Sequence, residues 1–347
     1  MNILIFGKDG QLGKAFKVIL DTSKLGELHR ITYVGRAKCD LANTDAIAAL
    51  LNQAKPNLII NAAAYTAVDK AETEVDLAYT INAKAPEAMA MYAKQHGATF
   101  LHYSTDYVFD GSKKTPYVES DVRNPLGIYG KSKAAGEEAI ERVFNGDHVK
   151  VSLPESNETK RTDINAQYAI LRTSWVYGDG GNFIRTILRL AKEREELRII
   201  SDQHGVPTSA EWLAKVSLDL ALTKDGQIKP FPSGVYHAVP SGQTTWHGLA
   251  ALAVQSAGEA GTPLKAKPEA IKPILAVEYP LPAPRPMNSR MATDKLRSAL
   301  VGQSQAFGDP SADTYSTYND TLYASGFPVW DGMVREYINK LAAEKAI

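Results

Sequence analysis

Asn2-Ile3-Leu4-Ile5-Phe6-Gly7-Lys8-Asp9-Gly10-Gln11-Leu12-Gly13 is the stretch that decides the fold. Residues 2 to 6 form an apolar, β-branched run that stops abruptly at Gly7, and after Gly13 the residues Ala15, Phe16, Ile19 and Leu20 recur at helical spacing. The order is strand, glycine turn, helix. In a dinucleotide-binding unit Gly7 permits the tight turn, Gly10 lets the backbone approach a pyrophosphate, and Gly13 allows close packing of helix on strand. The amides of the new helix, around Gln11 and Leu12, then point at the phosphates. A plain tight turn would use the same glycines, but the position directly after a buried strand favours the dinucleotide reading.

The alternation of strand and helix continues outward from that turn. A second strand, Ile31 to Val34, ends in Gly35-Arg36, where dinucleotide folds read the adenosine ribose. Arg36 cannot accept a 2′-hydroxyl, whereas its guanidinium can pair with a 2′-phosphate, which favours NADPH. Asp40 and Leu41 follow, and a helix over 45–54 leads to a third strand at 58–60. That strand opens into Asn61-Ala62-Ala63-Ala64-Tyr65-Thr66, whose small side chains let a flat cofactor lie against the backbone. A helix around 83–95 and a strand over 98–103 come next, ending in Ser104-Thr105-Asp106. Ligands of a doubly wound sheet gather at the carboxyl ends of its strands, so Thr105, with Asp106 beside it, is placed to hydrogen-bond a substrate oxygen. The fold class is therefore α/β, a doubly wound parallel sheet.

Tyr129-Gly130-Lys131-Ser132-Lys133 places a phenol and an ammonium four residues apart, on one face of a helix. A tyrosine beside a fixed cation loses its proton more easily, so the pair is expected to work as a proton donor or acceptor nearer neutral pH than free tyrosine. After residue 178 the pattern changes to helices over 182–195, 210–222 and 246–257 with short strands at 197–200 and 234–239, and the proline-rich stretch 263–286 reads as irregular loop. We divide the chain into a dinucleotide-binding domain, residues 1–178 with a polar insertion at 145–167, and a mainly substrate-binding lobe, residues 179–347, some of whose segments return to the main sheet. The insertion, with Glu155, Glu158, Lys160, Arg161 and Asp163, and a second polar stretch at 301–319 read as solvated surface.

Composition narrows the partners. With 347 residues, Lys+Arg and Asp+Glu both at 39, and no apolar run near the length of a bilayer span, the chain reads as a cytoplasmic protein without nucleic-acid or membrane partners. Cys39 is its single cysteine, which excludes an internal disulfide framework. His102, His204, His237 and His247 lack ligand-like spacing, so no metal site is expected.

The ordered set Gly7 to Gly13, Asn61 to Ala64, Ser104 to Asp106 and Tyr129 to Lys133 resembles the extended short-chain dehydrogenase/reductase superfamily. Five segments, Gly10 to Gly13, Asn61 to Glu72, Tyr103 to Phe109, Leu171 to Gly178 and Arg285 to Arg290, resemble within it the dTDP-4-dehydrorhamnose reductase family. The resemblance implies a Rossmann-type domain and reduction by NADPH or NADH of the C4 carbonyl of dTDP-4-dehydro-L-rhamnose, a nucleotide sugar destined for cell-surface polysaccharide. It implies that Tyr129 protonates the developing alkoxide, that Lys133 holds the cofactor ribose and depresses the tyrosine pKa, and that Thr105 binds the same oxygen. Trp175 would face the sugar, and Arg285 and Asn288 would approach the diphosphate. Some members are described as magnesium-bridged dimers, with an acidic residue just after the glycine turn. Here Lys14-Ala15-Phe16 stand there and Glu211 is a lone carboxylate, so the metal is not carried over, and a homodimer is left open. Two other readings keep the motifs. One is a superfamily epimerase or dehydratase, although Tyr107 stands where a dehydratase needs a second carboxylate. The other is a non-catalytic regulatory subunit, which need not retain the phenol, ammonium and hydroxyl together.

Overall fold

The computed structural model describes residues 1–146, 166–301, 323 and 325–347. Both polar stretches, 145–167 and 301–319, lie outside the described residues except at their ends. Six parallel strands make the frame: β1 (Asn2–Phe6), β2 (Arg30–Val34), β3 (Leu58–Asn61), β4 (Thr99–Thr105), β5 (Gln167–Thr173) and β6 (Gly234–His237). Their order is β6-β5-β4-β3-β1-β2.

Strands covered on both faces are buried along their length, and β1, β3, β4 and β5 are, apart from the half-buried Asn2. Apolar residues fill most of that space, and most of the polar ones cluster toward the strand ends. Alternate residues divide between two cores. Ile3, Ile5, Ile60, Leu101 and Leu171 pack on one face against α1 (Gln11–Asp21), through Phe16 and Leu20. Leu4, Phe6, Ile59, Phe100 and Ile170 pack on the other face. There they meet α2 (Thr44–Ala54), α3 (Ala85–His96) and α4 (Ile128–Asn145), through Ile47, Met89 and Ile140. With β2 on one side of β1 and β3 on the other, the chain reverses its direction of progress at β1. A crevice opens at the carboxyl end of such a strand, and the glycine turn sits in it.

Beyond β5 come α5 (Phe183–Glu193), α6 (Ala210–Ala221), α7 (Trp246–Glu259) and α8 (Trp330–Ala343). The last of these, with α5 and α7, encloses a separate core of Ile184, Leu188, Leu249, Val334 and Ile338. In contrast, α6 returns to the main sheet and packs Leu213 and Val216 beside Phe16. The proline-rich stretch is not all loop. Ile271–Ile274 pairs in parallel with Leu197–Ile200, Pro273 lying opposite Ile199. Each strand of a two-stranded ladder is an edge, where a missing proline N–H is tolerated. No helix among the described residues is long and apolar enough to cross a membrane.

Candidate active site

The turn after β1 is built as a cradle. Gly7 adopts φ +86° and donates from its N–H to the Val34 carbonyl at 2.9 Å. A Cβ there would lie 2.6 Å from the Ala62 carbonyl carbon, and one on Gly13 would lie 2.0 Å from the Gly7 oxygen. Gly13 therefore supports the turn from behind and does not line the cleft. Helix α1 has Gly10 as its N-cap and no side-chain cap, which leaves its first amides free for an anion.

A cleft of about 550 Å³ runs from this turn across the sheet edge. Gly7, Gly10, Gln11 and Leu12 line one end, Arg36, Asp40 and Leu41 the side, and Ala62, Ala63, Ala64 and Thr66 the floor, with Tyr129 and Lys133 further along. Tyr65 does not join them. Its hydroxyl donates to Glu74 at 2.6 Å, and its backbone N–H and carbonyl are clamped by the Asn82 side chain at 2.9 and 3.0 Å. Asn82 projects from a π-helical turn, Thr80–Lys84, and also donates to Ser132 Oγ at 3.0 Å, so it ties the alanine loop to α4.

Tyr129 and Lys133 share one face of α4, but their electrostatics reverse the sequence expectation. Burial pushes the Tyr129 phenol up to about 12, its hydrogen bond with the Thr105 hydroxyl opposes that rise, and the nearby Asp106 carboxylate adds to it. The cation that was expected to lower it is engaged elsewhere. Lys133 Nζ donates to the Tyr103 carbonyl at 2.5 Å and stands 3.2 Å from His102 Nε2. Burial draws Lys133 itself down to about 8, against the pull of Glu137. Thr105 Oγ1 donates to Asp106 Oδ1 at 3.0 Å, and burial raises the Asp106 carboxyl to about 6. Behind Lys133, Glu137 receives two hydrogen bonds from Arg172, at 2.9 and 2.7 Å, and one from Arg123 at 2.5 Å.

Trp175 holds a left-handed φ of +48°, rare for so large a residue, and stacks on Trp246 with ring centroids 3.8 Å apart. Phe183 lies 4.6 Å from Trp246, and the three rings pack on the core of the second lobe and are not among the residues lining the cleft. The residues expected at a diphosphate are committed to the protein instead. Arg285 forms a two-pronged pair with Asp69 at 2.6 and 2.7 Å, and Asn288 Nδ2 donates to the carbonyls of Lys113 and Thr115 at 2.7 and 3.0 Å. Each anchors a loop of the second lobe.

The cleft suits a dinucleotide. Its phosphate end offers uncapped amides and a turn with no room for side chains, and deep in it Thr173 Oγ1 is buried with no partner among the protein groups. Among the described residues no cluster of three or more His, Cys, Asp or Glu side chains could hold a metal ion.

The family model described as RmlD substrate binding domain matches residues 1–152 and 155–319. The dTDP-4-dehydrorhamnose reductase of Escherichia coli strain K12 is 43% identical over 312 residues, 87% of this chain and 93% of that one. The chain belongs to the dTDP-4-dehydrorhamnose reductase family. A crystal structure of a dTDP-4-dehydrorhamnose reductase from Clostridium acetobutylicum is 32% identical, covers 98% of this chain and 99% of its own, and superposes with a TM-score of 0.76. The dTDP-4-dehydrorhamnose reductase of Bacillus anthracis, solved in complex with NADP, is 28% identical, with coverage of 98% and 99% and a TM-score of 0.74. A UDP-glucose 4-epimerase of Thermus thermophilus, 14% identical with a TM-score of 0.64, shares the fold alone.

Sequence reasoning missed several residues of this dTDP-4-dehydrorhamnose reductase family site. Asp9, Thr173 and Val176 line the cleft, and Asn82 and Asp69 hold its walls. Asp9 lay in the glycine turn and was legible in principle. The others act through contacts far apart in sequence.

Proposed function

We propose that this chain reduces the C4 carbonyl of dTDP-4-dehydro-L-rhamnose with NADPH, giving dTDP-L-rhamnose, and accepts NADH as the second choice of cofactor. The observation that carries the reading is that Tyr129 and Lys133 line a glycine-cradled cleft with Thr105 hydrogen-bonded to Tyr129, in a chain belonging to this family. Gly7, Gly10, Gln11 and Leu12 hold the pyrophosphate. Arg36, with Asp40 and Leu41, takes the adenosine end, Ala62 to Ala64 and Thr66 take the flat middle of the cofactor, and Lys133 takes the nicotinamide ribose. When bound, the reduced nicotinamide supplies the hydride.

Tyr129 supplies the proton. A phenol held near 12 stays protonated at neutral pH, and the oxygen formed at C4 is a far stronger base than a phenolate, so the proton moves downhill from Tyr129 to that oxygen. High phenol basicity thus suits the direction of reduction, in which the donor must be loaded before each turnover. Thr105 orients the phenol; its one hydroxyl proton rests on Asp106 Oδ1 in this structure and would turn from there to the same C4 oxygen when substrate binds. The Trp175 and Trp246 stack, outside the cofactor cleft, gives the sugar a flat apolar wall. Arg285 and Asn288 act at one remove, by fixing the loops beside the cleft.

The purified protein should oxidise NADPH when given dTDP-4-dehydro-L-rhamnose and release dTDP-L-rhamnose. Tight NADPH binding without turnover on that sugar would overturn the reading in favour of another nucleotide sugar or a silent partner subunit. The cytoplasmic setting and a homodimer belong to the same proposal, to be checked by fractionation and by sedimentation. The division at residue 178 is also a proposal, with β6 and α6 as segments beyond it that return to the main sheet.

A further inference from the structure

Behind Lys133 runs a chain of buried polar groups that the proposed reaction leaves without a task. His102 on β4 is 1% exposed, and its two ring nitrogens have different neighbours. Nε2 stands 3.2 Å from Lys133 Nζ, and Nδ1 stands 3.1 Å from Asn61 Nδ2. Asn61 closes β3, is also 1% exposed, and through Oδ1 accepts the Ala63 N–H at 3.3 Å. Ala63 lines the cofactor cleft.

Counting protons along this chain shows a conflict. A backbone N–H only donates, so Asn61 must present its oxygen to Ala63 and therefore its nitrogen to His102. Nδ1 then accepts, and a neutral imidazole carries its one proton on Nε2. That proton points at Lys133 Nζ. A neutral amine can accept it while still donating to the Tyr103 carbonyl, but an ammonium has no lone pair to do so. With Lys133 charged, Nε2 must be the acceptor, the proton must sit on Nδ1, and the Asn61 amide must turn its oxygen from Ala63 to His102. The two arrangements exclude each other among groups this deeply buried.

We propose that His102 is a positioning residue that changes tautomer as Lys133 gains or loses its proton, so that the Asn61 amide couples the cofactor loop at Ala63 to the charge on Lys133. The inference deepens the proposed function, since it rests on Lys133 being the cation of the cofactor site. Burial holds the His102 imidazole well below its ordinary value, with Lys133 adding to the effect, so the ring stays neutral and Lys133 is the group that titrates near neutrality. From α4, Lys133 is flanked by the Tyr129 phenol and by Glu137, and Glu137 is itself neutralised by Arg172 of β5 and by Arg123. From β4 come the Tyr103 carbonyl and His102, and from β3 comes the uncharged Asn61.

Imidazole 15N shifts of the full-length protein, with His102 assigned by its loss in His102→Gln, test this without cofactor or turnover. Across a titration the ring should pass from Nδ1-protonated to Nε2-protonated with a midpoint near 8, and Lys133→Met should hold it in one form. A single tautomer throughout in the wild type, or an unchanged switch in Lys133→Met, overturns the proposal even if the enzyme proves to be a reductase. NADPH affinity against pH gives a second readout. His102→Phe removes the acceptor of the ammonium and should lower the midpoint by about one pH unit, or roughly 1.4 kcal/mol. His102→Gln, whose amide can turn either end to Nζ, should restore it, and equal midpoints in the wild type and His102→Phe would also overturn the coupling.

Discussion

Replacing Glu137 with Gln should cost this protein a large part of its stability at neutral pH. Glu137 is 0% exposed and receives Arg172, itself 1% exposed, through two hydrogen bonds, with Arg123 added on its outer side. Burial alone would raise the carboxyl, but the attraction of Arg172, then of Arg123, holds it down from 4.5 to about 2. A fall of that size corresponds to about 3 kcal/mol of folding free energy, present above the unfolded value and lost as pH falls through the folded one. Breaking a buried pair by removing one partner gives the same order, roughly 3–5 kcal/mol, because a guanidinium is left buried without its counter-charge. Urea unfolding at neutral pH should therefore show Glu137→Gln less stable by about 3 kcal/mol, and the gap should narrow as an acid series approaches the pH at which wild-type Glu137 takes its proton. A second effect follows from position, since Glu137 favours the charged form of Lys133 and its loss should move the alkaline decline of NADPH binding to lower pH. A loss below about 1 kcal/mol, the level of an exposed pair, would refute the view that this carboxylate anchors the charges behind the site.

Three further perturbations address other parts of the account. Gly13→Ala drives a Cβ to 2.0 Å from the Gly7 carbonyl oxygen, so NADPH affinity measured by nucleotide fluorescence should fall by about tenfold or more, and wild-type affinity would contradict the cradle. Arg36→Ala should weaken NADPH about tenfold and leave NADH nearly unchanged, whereas equal losses for both cofactors would remove Arg36 from the 2′-phosphate. Asp106→Asn should make the protein more stable above pH 6, because the folded state raises this carboxyl from 3.8 to about 6 and its ionisation then opposes folding. The gain, read from thermal unfolding, should be roughly 1–3 kcal/mol at neutral pH and vanish below the unfolded value, while turnover falls.

The sequence carried the sheet and the glycine turn well because their signals are local. Asn2 to Gly13 announces strand, turn and helix within a dozen residues, and the central runs of the buried strands, such as Leu58 to Ile60 and Ala169 to Leu171, are apolar whichever neighbours they meet. The face shared by Tyr129 and Lys133 was legible from helical spacing alone. The sign of the Tyr129 shift was not, because it depends on how deeply α4 is covered and on Tyr103 and His102, about thirty residues away, which engage the ammonium. Arg285 illustrates the same limit. A lone arginine in a proline-rich stretch invites a phosphate, but Asp69, 216 residues earlier, already occupies it. Pro273 misled for a different reason, since proline bars a central strand but is tolerated at an edge. Asn82 gave no signal at all, because a π-helical turn has no distinctive composition and only the fold shows that its amide clamps Tyr65.

Tyr129→Phe is the measurement on which the central claim turns, because the substitution keeps the ring, its packing against Tyr107 and the cofactor cleft while removing one proton donor. With NADPH and dTDP-4-dehydro-L-rhamnose, turnover should fall by about a hundredfold or more, the span a general acid contributes, and the NADPH dissociation constant should stay within about threefold of wild type. Near-normal turnover in Tyr129→Phe would contradict the assignment of Tyr129 as the proton donor.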